Sequence, residues 1–124
     1  MNDIQKLIEE YLRERNWNNL PPADIAKSIM IEGGELLELF QWKNHTVEDI
    51  KNDPELKLSI QKEIADVAIY AIELANHLDI DMSEAIRLKI EHNAKKYPAA
   101  KIKDPTSGDE FYMSQKAEYR KKKK

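Results

Sequence analysis

The stretch that decides the fold is Glu32-Gly33-Gly34-Glu35-Leu36-Leu37, and it has a counterpart in Glu63-Ile64-Ala65-Asp66-Val67-Ala68. Each stretch lies in a segment with helical periodicity and carries two acids three residues apart. In an α-helix this spacing places the two carboxylates on one face, one turn apart. Four carboxylates in one groove repel each other unless a hard cation such as Mg²⁺ holds them. The two pairs therefore predict a metal site built between two helices.

The sequence around these pairs has the apolar spacing of amphipathic helices. We predict helices from Asp3 to about Arg15, from Ala23 to about Trp42, from Pro54 to about His77 and from Asp81 to about Lys96, with a short capped turn at Thr46–Asp49. Asp53-Pro54 is a typical helix start, because the acid caps free amide groups and proline at the first position costs no hydrogen bond. Four helices with short connections predict an all-α fold, a four-helix bundle.

Gly33 and Gly34 lie in the middle of the second predicted helix. Each glycine in a helix interior costs roughly 1 kcal/mol relative to alanine. We therefore expect another backbone or a ligand to approach closely at this point.

The 124 residues suit one compact domain, which we place at residues 1–100, with residues 101–124 as a C-terminal extension. Charged residues make up 35% of the chain, as expected for a well-hydrated surface. Arg120 to Lys124 are all basic, so we expect a poorly ordered, solubilising tail.

Several classes of protein are excluded or disfavoured by the composition. The absence of cysteine excludes disulfides, thiolate catalysis and cysteine-ligated metals. No apolar run approaches the roughly 20 residues that span a bilayer, and the N-terminus lacks the pattern of a signal peptide. We expect a cytoplasmic protein with no membrane partner.

A simpler interpretation of the acidic pairs is a solvated helix face, which spacing alone makes as probable as a metal site. Three observations favour the metal. The pairs lie among apolar residues, the glycines lie between the first two acids, and Glu32, Glu35 and Asp66 have no Lys or Arg four residues on. Ligation by carboxylates alone favours Mg²⁺, with Mn²⁺ as a possible substitute, over zinc. Hydrolysis of a phosphoanhydride is the chemistry that needs these components.

Four motifs in order resemble those of the MazG-like all-α nucleoside triphosphate pyrophosphohydrolases, especially the dCTP pyrophosphatase branch. They are Arg15-Asn16-Trp17, the stretch Glu32 to Lys43, the stretch Glu63 to Tyr70, and the stretch Lys89 to Pro98, which is similar to K-x-x-x-N-x-x-[KR]-Y-P. The resemblance covers about residues 8 to 98. It implies attack at the α-phosphorus of a dCTP-like or non-standard nucleoside triphosphate, which releases pyrophosphate. The activity would remove such nucleotides from the cellular pool.

The resemblance also implies roles for individual residues. The magnesium ligands would be Glu32, Glu35, Glu63 and Asp66. Glu38 and Glu63 would be the catalytic residues. Glu38 would either support the metal ligands from behind or activate the attacking water. Trp17 and Trp42 would border the base. Tyr70, Lys89 and Asn93 would contact the sugar or the phosphates, and Lys96 would add positive charge near the triphosphate. The family usually forms dimers or dimers of dimers, so a homodimer or homotetramer is expected.

One departure concerns the base. The dCTP pyrophosphatase branch carries a histidine nine residues before the tryptophan of its R-D-W motif, and this chain has Ile8 there. A strict preference for cytosine is therefore not implied.

Other interpretations stay open from the residues alone. Trp17, Trp42 and Tyr70 would more often be core aromatics than ligand contacts. The chain as a whole would also suit a non-catalytic nucleotide or divalent-ion binding module. A third possibility is nucleic-acid attraction through the basic tail, which would be nonspecific and salt-dependent, so no specific nucleic-acid partner is expected. The three histidines, His45, His77 and His92, receive no ligand role.

Overall fold

A computed structural model describes residues 2–103 and 108–123. These residues form helices and no strand: α1 Asp3–Glu14, α2 Pro22–Glu38, α3 Val47–Lys51, α4 Pro54–His77, α5 Met82–Lys96, α6 Ala99–Ile102 and α7 Gly108–Lys123. The prediction of an all-α fold is confirmed, and the four predicted helices are α1, α2, α4 and α5. The chain divides into two compact units, Met1–Met82 and Ser83–Lys124. None of the described helices is both long and apolar enough to cross a membrane.

Local capping explains where helices α3 and α4 begin. The side chain of Asp53 accepts a hydrogen bond from the Leu56 amide at 3.1 Å, and Pro54 occupies the first turn of α4. Thr46 and Asp49 form a reciprocal capping box at the start of α3. The hydrogen bonds from Thr46 lower the pKa of Asp49, because they stabilise its ionised form.

Helix α2 ends at Glu38, four residues before the predicted end at Trp42. The amides of Leu39 and Phe40 bond to carbonyls three residues back, at 3.2 Å and 2.9 Å, which tightens the last turn. The ring of Phe40 then meets His45 edge to face at 6.1 Å. Trp42 consequently lies outside the helix.

The core of the first unit is small. Helices α1, α2 and α3 all pack against α4, and the buried apolar residues are Ile8, Leu12, Ile25, Ile60 and Ala75. Other members of the predicted apolar stripes remain exposed, including Ile4 and Leu7 of α1. Met30, Leu37 and Ile64 are exposed to 75%, 69% and 53%. These side chains are not covered by any described segment of the chain.

A buried polar side chain joins α1 to the end of α4. Gln5 is fully buried, and its Nε2 donates to Asn76 Oδ1 at 2.8 Å and to the Ile80 carbonyl at 2.9 Å. Its Oε1 accepts from the Met82 amide at 2.9 Å, and Asn76 Nδ2 donates back to the Gln5 carbonyl at 3.0 Å. Every polar atom of this side chain is satisfied, so its burial fixes α1 in one position.

The prediction of a poorly ordered C-terminal tail is wrong for most of its residues, because α7 continues to Lys123. The sequence pattern concealed this helix because few of its residues are apolar. Tyr112 packs on Tyr97 with ring centroids 4.8 Å apart, and Tyr119 meets His92 at 5.5 Å. Gly108 begins the helix. The rest of the predicted turn, residues 104–107, and Lys124 lie outside the described residues.

Candidate functional site

Helices α2 and α4 bring three of the predicted metal ligands together. Glu32, Glu63 and Asp66 each offer a carboxylate oxygen, and these oxygens lie within 4.8 Å of one another. All three side chains are half-buried. The two acidic pairs, 31 positions apart in sequence, therefore face each other across the contact between α2 and α4.

Glu35 joins the same cluster although it is an exposed residue. Its side chain hydrogen-bonds to both Glu32 and Glu63. Carboxyl groups this close repel one another when they are ionised.

The electrostatics of the cluster are those of acids without a counter-charge. The hydrogen bond from Glu35 raises the pKa of Glu32 to about 7, with further contributions from burial and from the charges of the other acids. Burial raises the pKa of Glu63, followed by the charges of Glu35 and Asp66. Repulsion between carboxylates and loss of water both disfavour the ionised forms.

Two oxygens of the cluster also lack a hydrogen bond. Glu32 Oε2 and Glu63 Oε2 are buried and find no partner among the described residues. A buried acceptor without a donor is costly, and a cation relieves both the repulsion and the missing contact. The donor set is made of carboxylate oxygens alone, so the residues present fit Mg²⁺ or Mn²⁺.

The surface beside the first pair is open. Gly33 and Gly34 have ordinary helical φ angles, and a β-carbon at either position would meet nothing within 4 Å. The close approach predicted for these glycines is therefore not made by any described segment of this chain. A ligand or a second molecule has access there.

Both tryptophans of the predicted base pocket lie at the surface, so the core-packing interpretation is wrong for them. Trp17 follows α1 and is 55% exposed, with its ring 6.1 Å from that of Tyr11. It lines a cavity of about 330 Å³ with Asn16, Asn19 and Leu20. Trp42 is 88% exposed in the loop after α2.

Tyr70 is half-buried on α4, one turn after Asp66, and Glu38 is the exposed last residue of α2.

The predicted phosphate contacts lie on α5, in the second compact unit. Lys89 and Asn93 are exposed, whereas Lys96 is half-buried at the end of the helix. Lys96 Nζ lies 3.6 Å from the ring centroid of Tyr119, and Lys89 Nζ lies 5.7 Å from the same centroid. Both lysines therefore contact helix α7, a neighbour that the sequence did not predict.

Two polar residues of α4 were missed as candidates. Glu73 is only 2% exposed, and His77, which received no role from the sequence, has a buried Nε2 atom. They follow Asp66 by seven and eleven residues, which places them on the same helix face. That spacing was the available signal in the sequence, but it does not reveal burial.

The sequence profile of the MazG-like family matches residues 27–107. Mouse dCTP pyrophosphatase 1 is 34% identical over 100 residues, which cover 79% of this chain and 59% of the mouse protein. Human dCTP pyrophosphatase 1 is 34% identical over 101 residues, which cover 80% of this chain and 59% of the human protein. The chain thus corresponds to about three fifths of the length of these relatives.

A solved structure shares the fold. A pyrophosphatase from Archaeoglobus fulgidus superposes with a TM-score of 0.65 at 35% identity, covering 77% of this chain and 90% of the archaeal chain. The likeness therefore spans nearly the whole of that protein.

Proposed function

This chain belongs to the MazG-like family, and we propose that it hydrolyses nucleoside triphosphates to the monophosphate and pyrophosphate. The convergence of Glu32, Glu35, Glu63 and Asp66, with two buried oxygens lacking a partner, carries the proposal. The relatives named above act as pyrophosphatases, which supports a dCTP-like or non-standard nucleotide as substrate. The activity would remove such nucleotides from the pool.

We assign the four acids to magnesium, with manganese as a substitute. When bound, the cation would neutralise phosphate oxygens and lower the pKa of a water molecule. The chain itself supplies a proton acceptor, and we assign this role to Glu63, a half-buried carboxylate of α4 within the acidic cluster. Glu38, one turn beyond Glu35, would orient the attacking water toward the α-phosphorus.

The exposed aromatic and basic residues would hold the nucleotide. Trp17 and Trp42 present faces on which a base can stack, an interaction that tolerates any base. Tyr70 lies one turn from Asp66 and would contact the sugar. Lys89, Asn93 and Lys96 would contact the phosphates, since ammonium and amide groups donate to phosphate oxygens.

We further propose that the protein works as a homodimer or homotetramer in the cytoplasm, where nucleoside triphosphates are held. Met30, Ile31 and Leu37 are exposed on α2, and the glycine surface of the same helix is open. Residues 1–100 would form the catalytic domain and residues 101–124 an extension to it.

The test is pyrophosphate release from a panel of nucleoside triphosphates with and without Mg²⁺, comparing wild type with Glu63→Gln. We expect a loss of about 100-fold or more in kcat/KM for the variant, because a ligand and a proton acceptor are removed together. Glu55→Gln, an exposed acid at the start of the same helix, is the matched control and keeps full activity. Equal turnover by wild type and Glu63→Gln across the panel would refute the proposed enzymatic activity. The alternative would then be a non-catalytic binding module, and a measurement of Mg²⁺-dependent nucleotide binding would detect it.

The nucleic-acid alternative has its own test. Deletion of Arg120 to Lys124 should leave pyrophosphate release within about two-fold of wild type. Loss of function on deletion, with nucleic-acid binding that weakens steeply with salt, would favour that alternative.

A further inference from the structure

A groove lies between α5 and α7, inside the second compact unit. Its volume is about 280 Å³, which suits a small ligand, since pockets for drug-sized molecules occupy roughly 300–1,000 Å³. Helix α7 follows residues 27–107, the segment that the MazG-like profile matches. The groove therefore depends on a part of the chain to which the family resemblance assigns no role. Helix α5 contributes His92, Lys95 and Lys96 to the lining, and α7 contributes Glu118, Tyr119 and Lys122.

The lining of the groove is mainly basic, because it holds three lysines and one carboxylate, Glu118. Acids precede two of these lysines by four residues, Glu91 before Lys95 and Glu118 before Lys122, which is the spacing of ion pairs on a helix. Within the described part of the chain, however, no ion pair includes Lys95, Lys96 or Lys122. An anion that enters the groove therefore meets ammonium groups that no described acid neutralises.

Aromatic contacts hold one of these ammonium groups in place. Lys96 Nζ lies 3.6 Å from the ring centroid of Tyr119, and the ring of His92 meets the same ring at 61°. Both Lys96 and Tyr119 are half-buried. The ring covers one side of the ammonium, which has three N–H donors and no acceptor. Because the side chain is already positioned, less conformational freedom is lost when an anion binds.

We propose that this groove binds a diphosphate group, either free pyrophosphate or the phosphate tail of a nucleotide. Lys95, Lys96 and Lys122 donate to the phosphoryl oxygens, and Gln115 adds an amide donor from α7. Two linked phosphoryl groups suit three ammonium groups better than a single phosphate does, because they offer more oxygens and more negative charge. The inference goes beyond the proposed function, since the groove includes neither the four acids nor a metal. Lys96 alone is shared with the substrate contacts assigned above.

Calorimetric titration of the full chain with pyrophosphate in EDTA provides the test. Without a cation the acidic cluster repels an anion, so the titration measures the groove. We expect Lys95→Gln and Lys122→Gln each to weaken binding by about five-fold or more, because each removes charge-assisted hydrogen bonds. Lys121→Gln is the matched control: it removes the same charge from the next position of α7, which does not line the groove. It should change the affinity by less than about two-fold, since exposed charges outside the site are screened by salt.

Substitution of the acid in the groove should act in the opposite direction. Glu118→Gln should tighten pyrophosphate binding by about two-fold or more, because a carboxylate in the lining repels the anion. Orthophosphate should bind at least about five-fold more weakly than pyrophosphate, since it makes fewer charge-assisted bonds. ADP distinguishes the two sources of the diphosphate group. Tighter binding of ADP than of pyrophosphate identifies a nucleotide tail, and weaker binding identifies free pyrophosphate.

Hydrogen exchange gives a second measurement that locates the ligand. Pyrophosphate should slow amide exchange in α7 of wild type but not of Lys122→Gln, because a bound ligand stabilises the segment that contacts it. Equal losses of affinity in Lys121→Gln and Lys122→Gln would show nonspecific attraction to the basic end of the chain and would overturn the inference. Absence of pyrophosphate binding, or equal affinity for orthophosphate, would overturn it as well. Neither measurement involves turnover, so pyrophosphate binding by a chain that hydrolyses no nucleotide would refute the proposed function alone.

Discussion

Glu32 is the residue whose protonation reports on the state of the acidic cluster. Its pKa of about 7 in the metal-free fold lies above the ordinary value of 4.5, so the folded state binds this proton more tightly than the unfolded chain does. The free energy of unfolding should therefore fall as pH rises from about 4.5 to 7. Thermal unfolding between pH 4.5 and 7.5 in EDTA measures this slope.

Glu32→Gln is the control for that measurement, because the amide cannot titrate. The free energy of unfolding of the variant should fall less than that of wild type over the same pH range. At pH 7.5, Mg²⁺ should stabilise wild type more than the variant. Identical pH profiles for the two proteins would show that Glu32 does not hold a proton in the fold.

Single residues also show how far the sequence predicts the site. The four acids could be predicted because their spacing and apolar neighbours are local features. Glu73 and His77 could not, since their burial depends on α1 packing against α4, a contact absent from any local pattern. The exposure of Trp17 and Trp42 was likewise opposite to the usual preference of tryptophan for the interior.

At the level of helices, the link between α1 and α4 depends on Gln5. We expect Gln5→Leu to lower the free energy of unfolding by about 2–4 kcal/mol, because the Ile80 carbonyl, Asn76 and the Met82 amide would lose their partners inside the protein. Urea denaturation followed by circular dichroism measures the difference. Gln61→Leu, at an exposed position of α4, is the matched control and should change stability by less than about 0.5 kcal/mol. Equal effects of the two substitutions would contradict this role for Gln5.

Helix starts could be predicted more accurately than helix ends. Asp53-Pro54 and Thr46 begin helices through bonds to amides three residues away, which the sequence displays directly. The end of α2 and the presence of α7 involve aromatic contacts, Phe40 with His45 and Tyr119 with His92. Those contacts join residues of different segments, so local propensity does not reveal them.

At the level of the whole molecule, the exposed apolar residues of α2 predict assembly. Leu37 is 69% exposed on this helix. Leu37→Lys should convert the proposed dimer or tetramer into a smaller species, because a buried ammonium without a partner is costly. Size-exclusion chromatography with light scattering measures the mass.

Leu58→Lys, at an exposed leucine near the start of α4, is the control for non-specific effects of added charge. It should leave the mass unchanged. A wild-type protein that is already monomeric at micromolar concentration would refute the assembly itself.

The hydrogen bonds of Gln5 also set an order of events during protein synthesis. Its side-chain partners lie 71 to 77 residues further along the chain, so α1 leaves the ribosome long before they exist. At 5–20 residues per second, translation needs roughly 4–15 s to reach Met82. During that interval Ile8 and Leu12 cannot pack against a complete α4. Helix α1 is thus made before α4 but is fixed in place only after it.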